Sequence, residues 1–442
     1  MSSPRPLTLA VGLVLAAGVS LPLAPDPYAW VALVGLAALT CVWSMPLSWA
    51  VFGWATLLPI WSLGSLPPAV LEVARIGLGL VIAVRAFRTG GPANSAIRSW
   101  AWPLAFVGAL LAALSWWRGE DLTTGLFMLA SVFLVTAALW RLPSVWPIFL
   151  GFATGTSISA AVLIMTALGV GGVEFLVPNT NPGFSRYTGL GTSAPRVSSE
   201  FAAAAMIWWA AIHGRRCRGL VGAVGMVISL VALMLCGGRT GVFGLGIAVV
   251  LILARRWLRP PLAIAVATIA GLAAYWISSQ SVTLNTLTRF SPASSEYGGF
   301  STGRLGLVGE AWSSFLTAPL LGPGSHGFLV QYGLSPHLPP LAYALSGGIV
   351  AGGVVLFLTL RLLGLLFAGW GGSPSALTRV GCLVAAILVG QALLEPNGPF
   401  LGIEMLTLLF SVVIALSVIE LGDPDSRTPD MVRSFRQSPG GL

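Results

Sequence analysis

Long apolar stretches separated by short polar breaks run along almost the whole chain. A helix that crosses a bilayer needs about 20 mostly apolar residues. On that ruler, spans are predicted near 7–24, 28–44, 46–64, 68–87, 99–117, 122–140, 146–171, 198–213, 219–236, 241–254, 261–277, 339–366, 379–394 and 399–420. The predicted fold class is all-α, a polytopic integral membrane helix bundle of about 12–14 transmembrane helices. Residues 1–421 form one membrane domain, and 422–442, polar and Pro-containing, read as a disordered cytoplasmic tail. The first run, Leu7 to Leu23, has the look of a signal peptide. No small-residue cleavage site follows it and many spans do, so it is read as a retained first helix.

Two connections are long, 171–197 and 278–338, and loops of that length in a compact protein carry function or are disordered. In the second, Leu305, Val308, Trp312 and Phe315 fall at helical spacing with Arg304, Glu310 and Ser313 off the stripe. That pattern predicts a short interfacial helix in a large outer loop. Small residues recur at Gly219, Gly222 and Gly225, and at Gly348 and Gly352, a spacing expected where helices pack closely. No internal repeat is visible.

Composition strengthens the membrane assignment. The chain is 56% hydrophobic and only 8% charged, with mean hydropathy +0.89, and a soluble domain of this length would have an apolar surface. All 23 basic residues are Arg, as in proteins from GC-rich genomes. A net charge of +9 would suggest nucleic acid in a soluble protein, but here it is spread over short loops, so membrane orientation accounts for it and no nucleic-acid partner is expected. Cys41, Cys217, Cys236 and Cys382 show no CxxC pairing, which points to structural thiols and to no metal site or disulfide framework.

Charge then orients the spans. With alternate crossings and both termini cytoplasmic, Arg85, Arg88, Arg98, Arg141, the Arg215–Arg218 cluster, Arg255, Arg256, Arg259, Arg379 and the C-terminal arginines lie inside, as cytoplasmic loops demand. Six arginines remain outside: Arg118, Arg186, Arg196, Arg239, Arg289 and Arg304. Cations on that face need a reason, and an anionic ligand is the simplest.

Arg239 stands in the tight turn Gly237-Gly238-Arg239-Thr240-Gly241, where glycine permits close backbone approach and a guanidinium can grip a phosphate bidentately. Snorkelling to lipid headgroups is the plain alternative. Arg186 belongs to Arg186-Tyr187-Thr188-Gly189. Arg196 has Glu200 at i+4, a partner as good as a ligand. Arg304 opens the interfacial helix, where a cation opposes the dipole unless something anionic compensates, and Glu310 is a local candidate. Arg118 and Arg289 read as ordinary loop residues.

His337 precedes Leu338-Pro339-Pro340, a helix-start signal. At a helix's positive end an imidazole is kept neutral and can accept a proton, so His337 is the candidate general base. His326, in the same outer loop, competes for that role, whereas His213 reads as structural. Glu72 and Arg75 share one face inside a span, either as a functional pair or a structural one, and Glu395 lies in a short outer loop. The absence of a GxxxxGKS loop, a GxSxG elbow and HExxH removes ATP-driven pumps and common hydrolases.

In order along 180–355, these segments resemble the O-antigen ligase and O-antigen polymerase superfamily of bacterial envelope glycosyltransferases. Arg186-Tyr187-Thr188-Gly189 resembles its Arg-x-x-Gly stretch, Gly237–Gly241 its Ser-x-Ser-Arg-Gly turn, and Arg304 through Gly324 its Arg…Trp…Pro-Leu-Leu-Gly-x-Gly segment. His337 followed by Gly348-Ile349-Val350-Ala351-Gly352 resembles its His-Asn-x-x-Leu…Gly-Ile-x-Gly block. Leu338 stands where that family usually has Asn, Ser346 where it often has Glu and Gly237 where it prefers Ser, so the branch is remote. The resemblance implies transfer of a glycan from a polyprenyl (pyro)phosphate carrier to an acceptor hydroxyl on a glycan, lipid or cell-wall acceptor. The transfer would take place on the outer face of a bacterial plasma membrane, without metal, nucleotide or other cofactor. Arg186, Arg239, Arg304 and Arg196 would hold the phosphates, with Glu310, His326, Glu395, Arg75 and Glu72 in support and membrane lipids around them.

Two other functions fit the same outer arginines. A flippase or exporter of lipid-linked sugars would use them only for binding, but transporters favour midplane sites on broken helices and repeat symmetry. A peptidoglycan-type polymerase would call for an acidic residue in a large outer loop, for which Glu296 and Glu310 are the candidates.

Overall fold

The structure, a computed structural model, describes residues 43–60, 68–88, 95–120, 125–126, 128–130, 132–133, 144–170, 179–181, 184–186, 189–191, 194–236, 238–254, 304–332, 336, 338–368 and 376–394. The predicted spans 7–24, 28–44, 261–277 and 399–420 therefore lie wholly or almost wholly outside the described residues, as do Arg289 and the tail 422–442. The described part is an all-α membrane-embedded bundle. Its helices are α1 (Leu47–Leu57), α2 (Pro68–Arg88), α3 (Ser95–Arg118), α4 (Trp146–Ala167), α5 (Ala194–His213), α6 (Gly219–Cys236), α7 (Arg239–Ala254), α8 (Arg304–Thr317), α9 (Ser325–Tyr332), α10 (Pro339–Ala368) and α11 (Ala376–Leu394). One small antiparallel hairpin, β1 (Asn179–Asn181) with β2 (Phe184–Arg186), interrupts them in the 171–197 connection.

Four stretches, Trp100–Arg118, Trp146–Ala167, Gly219–Cys236 and Pro339–Gly364, are long and apolar enough to cross a membrane, and α1, α7 and α11 contain shorter apolar helices. Sequences such as α6, apolar on every side, hold together only where neighbouring helices and lipid surround them. Side chains including Val221, Val224 and Val227 accordingly stay exposed, while Ala232, Leu233 and Cys236 enter the core. Hydrophobic area alone does not drive helices together in lipid, so close approach at small residues matters. A Cβ on Gly151 or Gly155 of α4 would run into the Phe52 or Thr56 carbonyl of α1, and one on Gly225 would strike the Trp208 ring of α5. Gly219 differs from the expected packing role, since nothing lies within 4 Å of its added Cβ.

The contacts also give the helix directions. Gly151 facing Phe52 and Gly155 facing Thr56 make α4 parallel to α1. Trp100 under Arg361 and Arg118 at Ser346 make α3 antiparallel to α10. Gly241 against Ser198 sets the starts of α5 and α7 side by side. Gly244, near the start of α7, touches Ile387 and Gly390 near the end of α11, and α11, packed on α10 and following it closely in sequence, runs back along it. One end of the bundle therefore gathers the starts of α5, α7 and α10 and the end of α3. At the other, guanidiniums lie over tryptophan rings: Arg88 over Trp43, Arg216 over Trp146 and Arg361 over Trp100.

The interfacial helix expected in the second long loop corresponds to α8. Its buried side is Ala311 and Phe315, with Leu307 and Val308 partly covered, and it packs with Phe328 of α9 onto Leu341, Ala344 and Leu345 of α10. Val308 and Phe315 of the predicted stripe lie on the packed side, while Trp312 is 54% exposed because the α10 surface takes the 311/315 edge.

Candidate functional site

The end that gathers the helix starts is built in three pieces. The first is the connection carrying Arg186. In the β1–β2 register Arg186 pairs with Asn179, and three residues on, Gly189 adopts φ +57. A Cβ there would meet the Ser159 carbonyl at 2.6 Å, and the next amide, Leu190 N–H, donates to Ser159 Oγ at 2.9 Å. The glycine of the Arg186-Tyr187-Thr188-Gly189 motif thus lets the connection press onto α4. Arg186 itself is placed as backbone only.

The second piece is the paired start of α5 and α7. Gly241 N–H donates to Ser198 Oγ at 3.1 Å, and any side chain at 241 would overlap the Ser198 carbonyl. Two parallel helices thus begin together, each with the positive end of its dipole at this end of the bundle. Arg239 is the first residue of α7. Beside it in α5, Arg196 Nε donates to Glu200 Oε1 at 2.9 Å, with the two side chains only 6% and 5% exposed. The i+4 partner open in the sequence is the one this guanidinium holds. An ion pair so deep in the bundle survives only because each charge answers the other.

The third piece joins a cap to a broken helix. Helix α10 is interrupted at Gly347 (φ −135, ψ 17) and Gly348 (φ 72, ψ −169), so Gly348 marks a break and not the helix contact its spacing suggested. The turn from Pro319 to Gly324 fills the gap. Ile349 N–H donates to Pro319 O at 2.8 Å and Gly324 N–H to Leu345 O at 2.9 Å, while a Cβ on Gly348 would overlap the Leu320 carbonyl. Arg118, at the end of α3, completes the joint by donating from Nη1 to Ser346 O at 2.8 Å and from Nη2 to Leu321 O and Gly322 O at 2.6 and 2.7 Å. Glu120 is adjacent, its Oε1 2.8 Å from where a Gly324 Cβ would stand. Sequence reading missed Arg118. The available signal was the Ser346-Gly347-Gly348 step in an apolar run, which marks a helix break needing donors for its freed carbonyls.

The other candidates separate. Glu310 accepts a hydrogen bond from the Tyr332 hydroxyl at 3.0 Å, and that bond pushes the Tyr332 phenol above its usual range. His326 is exposed on α9. Arg75 is buried in the core. Its Nε donates to Leu57 O at 3.2 Å and its Nη2 to Ile60 O, so it binds the carbonyls freed where α1 stops, and Trp54 Nε1 donates to the Arg75 carbonyl. Glu72 is placed as α2 backbone and Arg304 as the first residue of α8, without described side chains, and His337 and Glu395 lie outside the described residues. Among the described residues no three of His, Cys, Asp and Glu could hold a metal ion together. No protein-family model matches the chain, and no curated protein matches it.

Proposed function

We propose that the chain is a membrane glycosyltransferase of the O-antigen ligase and polymerase type, moving a glycan from a polyprenyl pyrophosphate carrier to an acceptor hydroxyl on the outer face of a bacterial plasma membrane. The observation that carries the proposal is the side-by-side start of α5 and α7. Arg239 opens α7 there, at a pair of adjacent helix N-termini, a setting suited to a phosphate. The Arg–Trp pairs at the opposite end support the orientation, since arginine and tryptophan at one interface fit the cytoplasmic headgroup region.

In the proposed reaction the acceptor oxygen attacks the anomeric carbon and the carbon–oxygen bond to pyrophosphate breaks. The bonding pair leaves on the phosphate oxygen and the hydroxyl proton passes to His337. Arginine at positions 186, 239 and 304 offsets the charge developing on the leaving group, the large term in such displacements. Arg196 holds Glu200 and supports the site from behind.

The break in α10 favours one other function, since transporters of lipid-linked sugars place substrate at discontinuous helices. Here the gap is occupied by turn backbone and Arg118, which bind the Leu345 and Ser346 carbonyls at the break. Purified protein supplied with lipid-linked oligosaccharide and acceptor separates the two. Release of polyprenyl pyrophosphate, lost by about a hundredfold or more in Arg239→Ala and Arg304→Ala, is the expected result. Movement of the lipid across liposomes without release would instead make the protein an exporter.

A further inference from the structure

We propose that Arg118 is a positioning residue that latches the α8–α9 cap into the break of α10, and that this latch sets the catalytic rate. The second half of the proposal rests on the transferase function above; the first half does not.

One guanidinium reaches three carbonyls on two separate segments, Ser346 on α10 and Leu321 and Gly322 on the turn. A helix break and a tight turn free carbonyls from regular backbone pairing, and a charged donor is suited to take up such groups. Two backbone bonds, Ile349 N–H to Pro319 O and Gly324 N–H to Leu345 O, stitch the same joint from the other side. Gly322 (φ 76), Gly324 (φ 97) and Gly348 (φ 72) are all in the left-handed region, so the chain accepts that backbone only at glycine. A planar fork with several fixed donors suits this task, and a lysine ammonium, a single flexible point, cannot span both segments equally well.

The consequence for function follows from connectivity. The turn is the direct continuation of α8, which begins at Arg304, and the break lies eight residues into α10, whose start adjoins position 337. Freeing the turn from the break lets these two helix starts shift relative to each other. A misplacement of about 1 Å in a displacement reaction costs rate by about a hundredfold, with little effect on binding of a carrier held mainly by its lipid and phosphates. The outward charge of Arg118 is thereby explained without any ligand.

The test uses the full chain in nanodiscs, comparing wild type, Arg118→Ala and Arg118→Lys by hydrogen exchange and by carrier release. Expected in Arg118→Ala is exchange at Gly324 and Ile349 faster by about tenfold or more, as charged-donor bonds to the joint disappear. Carrier release should show kcat lower by about a hundredfold with KM for the lipid donor within about twofold. Millimolar guanidinium should restore both in Arg118→Ala, and Arg118→Lys should recover neither fully. Unchanged exchange in both variants overturns the latch. Faster exchange with unchanged kcat, or a loss confined to KM, overturns the positioning role. If wild type releases no carrier, the transferase function fails and so does the positioning role. The latch alone is then judged by exchange and its guanidinium rescue.

Discussion

Gly348 shows how much one missing side chain decides. Its φ of 72 is open to glycine and costly to any other residue, and its α-carbon sits where a Cβ would overlap the Leu320 carbonyl. Strain and overlap add, so Gly348→Ala is expected to destabilise the protein by about 3 kcal/mol or more. Gly219→Ala, with open space around it and a helical backbone, should leave stability unchanged or raise it slightly. Thermal unfolding of the two variants in the same detergent checks the contrast. Arginine follows the same logic of local surroundings. Arg196, Arg118 and Arg75 share one side chain but serve an ion pair, a latch and a helix end, and no short motif separates these roles.

Among elements, α8 and α9 form a cap whose inner side is packed and whose outer side is apolar, with Leu320 and Val330 more than 70% exposed. Its two helices are joined by Tyr332, the last residue of α9, donating to Glu310 midway along α8. The Tyr332 phenol is raised, first by that hydrogen bond, then by burial and by the Glu310 charge. A raised phenol keeps its proton longer in the folded protein than in the unfolded chain. The contact is therefore complete at neutral pH and lost as pH climbs through the raised midpoint. Spectrophotometric titration of tyrosinate should place Tyr332 above ordinary tyrosine, and Glu310→Gln should return it toward the usual value. An unmoved midpoint would mean the two cap helices are not joined there. The helical stripe of α8 was legible from spacing alone, but which edge turned inward depended on where α10 lay, and Trp312 of that stripe stays exposed.

For the whole molecule, two ends of opposite character emerge: one rich in Arg–Trp pairs, the other in helix starts, glycine turns and the cap. If the proposed orientation holds, a membrane-impermeant maleimide added to intact cells will label cysteine introduced at Leu320 or Val330 and will spare one introduced at Arg218. The reverse pattern would invert the protein. Native Cys217 interferes little at neutral pH, because burial raises its thiol against the smaller lowering effect of a backbone hydrogen bond from Gly222. Nine of the predicted spans have a helix at their place in the described residues, among them those at 146–171, 219–236 and 339–366. That part was readable because a bilayer demands runs of apolar residues of a set length. Membrane class, the placement of those nine helices and the cap helix were therefore readable from the chain itself, as was the list of arginines that the proposed orientation puts outside. Tertiary structure alone decided which arginines were already occupied, which edge of α8 faced inward and that Gly348 breaks α10. Each of these depends on carbonyls, carboxylates and side chains brought together from positions up to 228 residues apart, and one-dimensional spacing carries no record of such meetings.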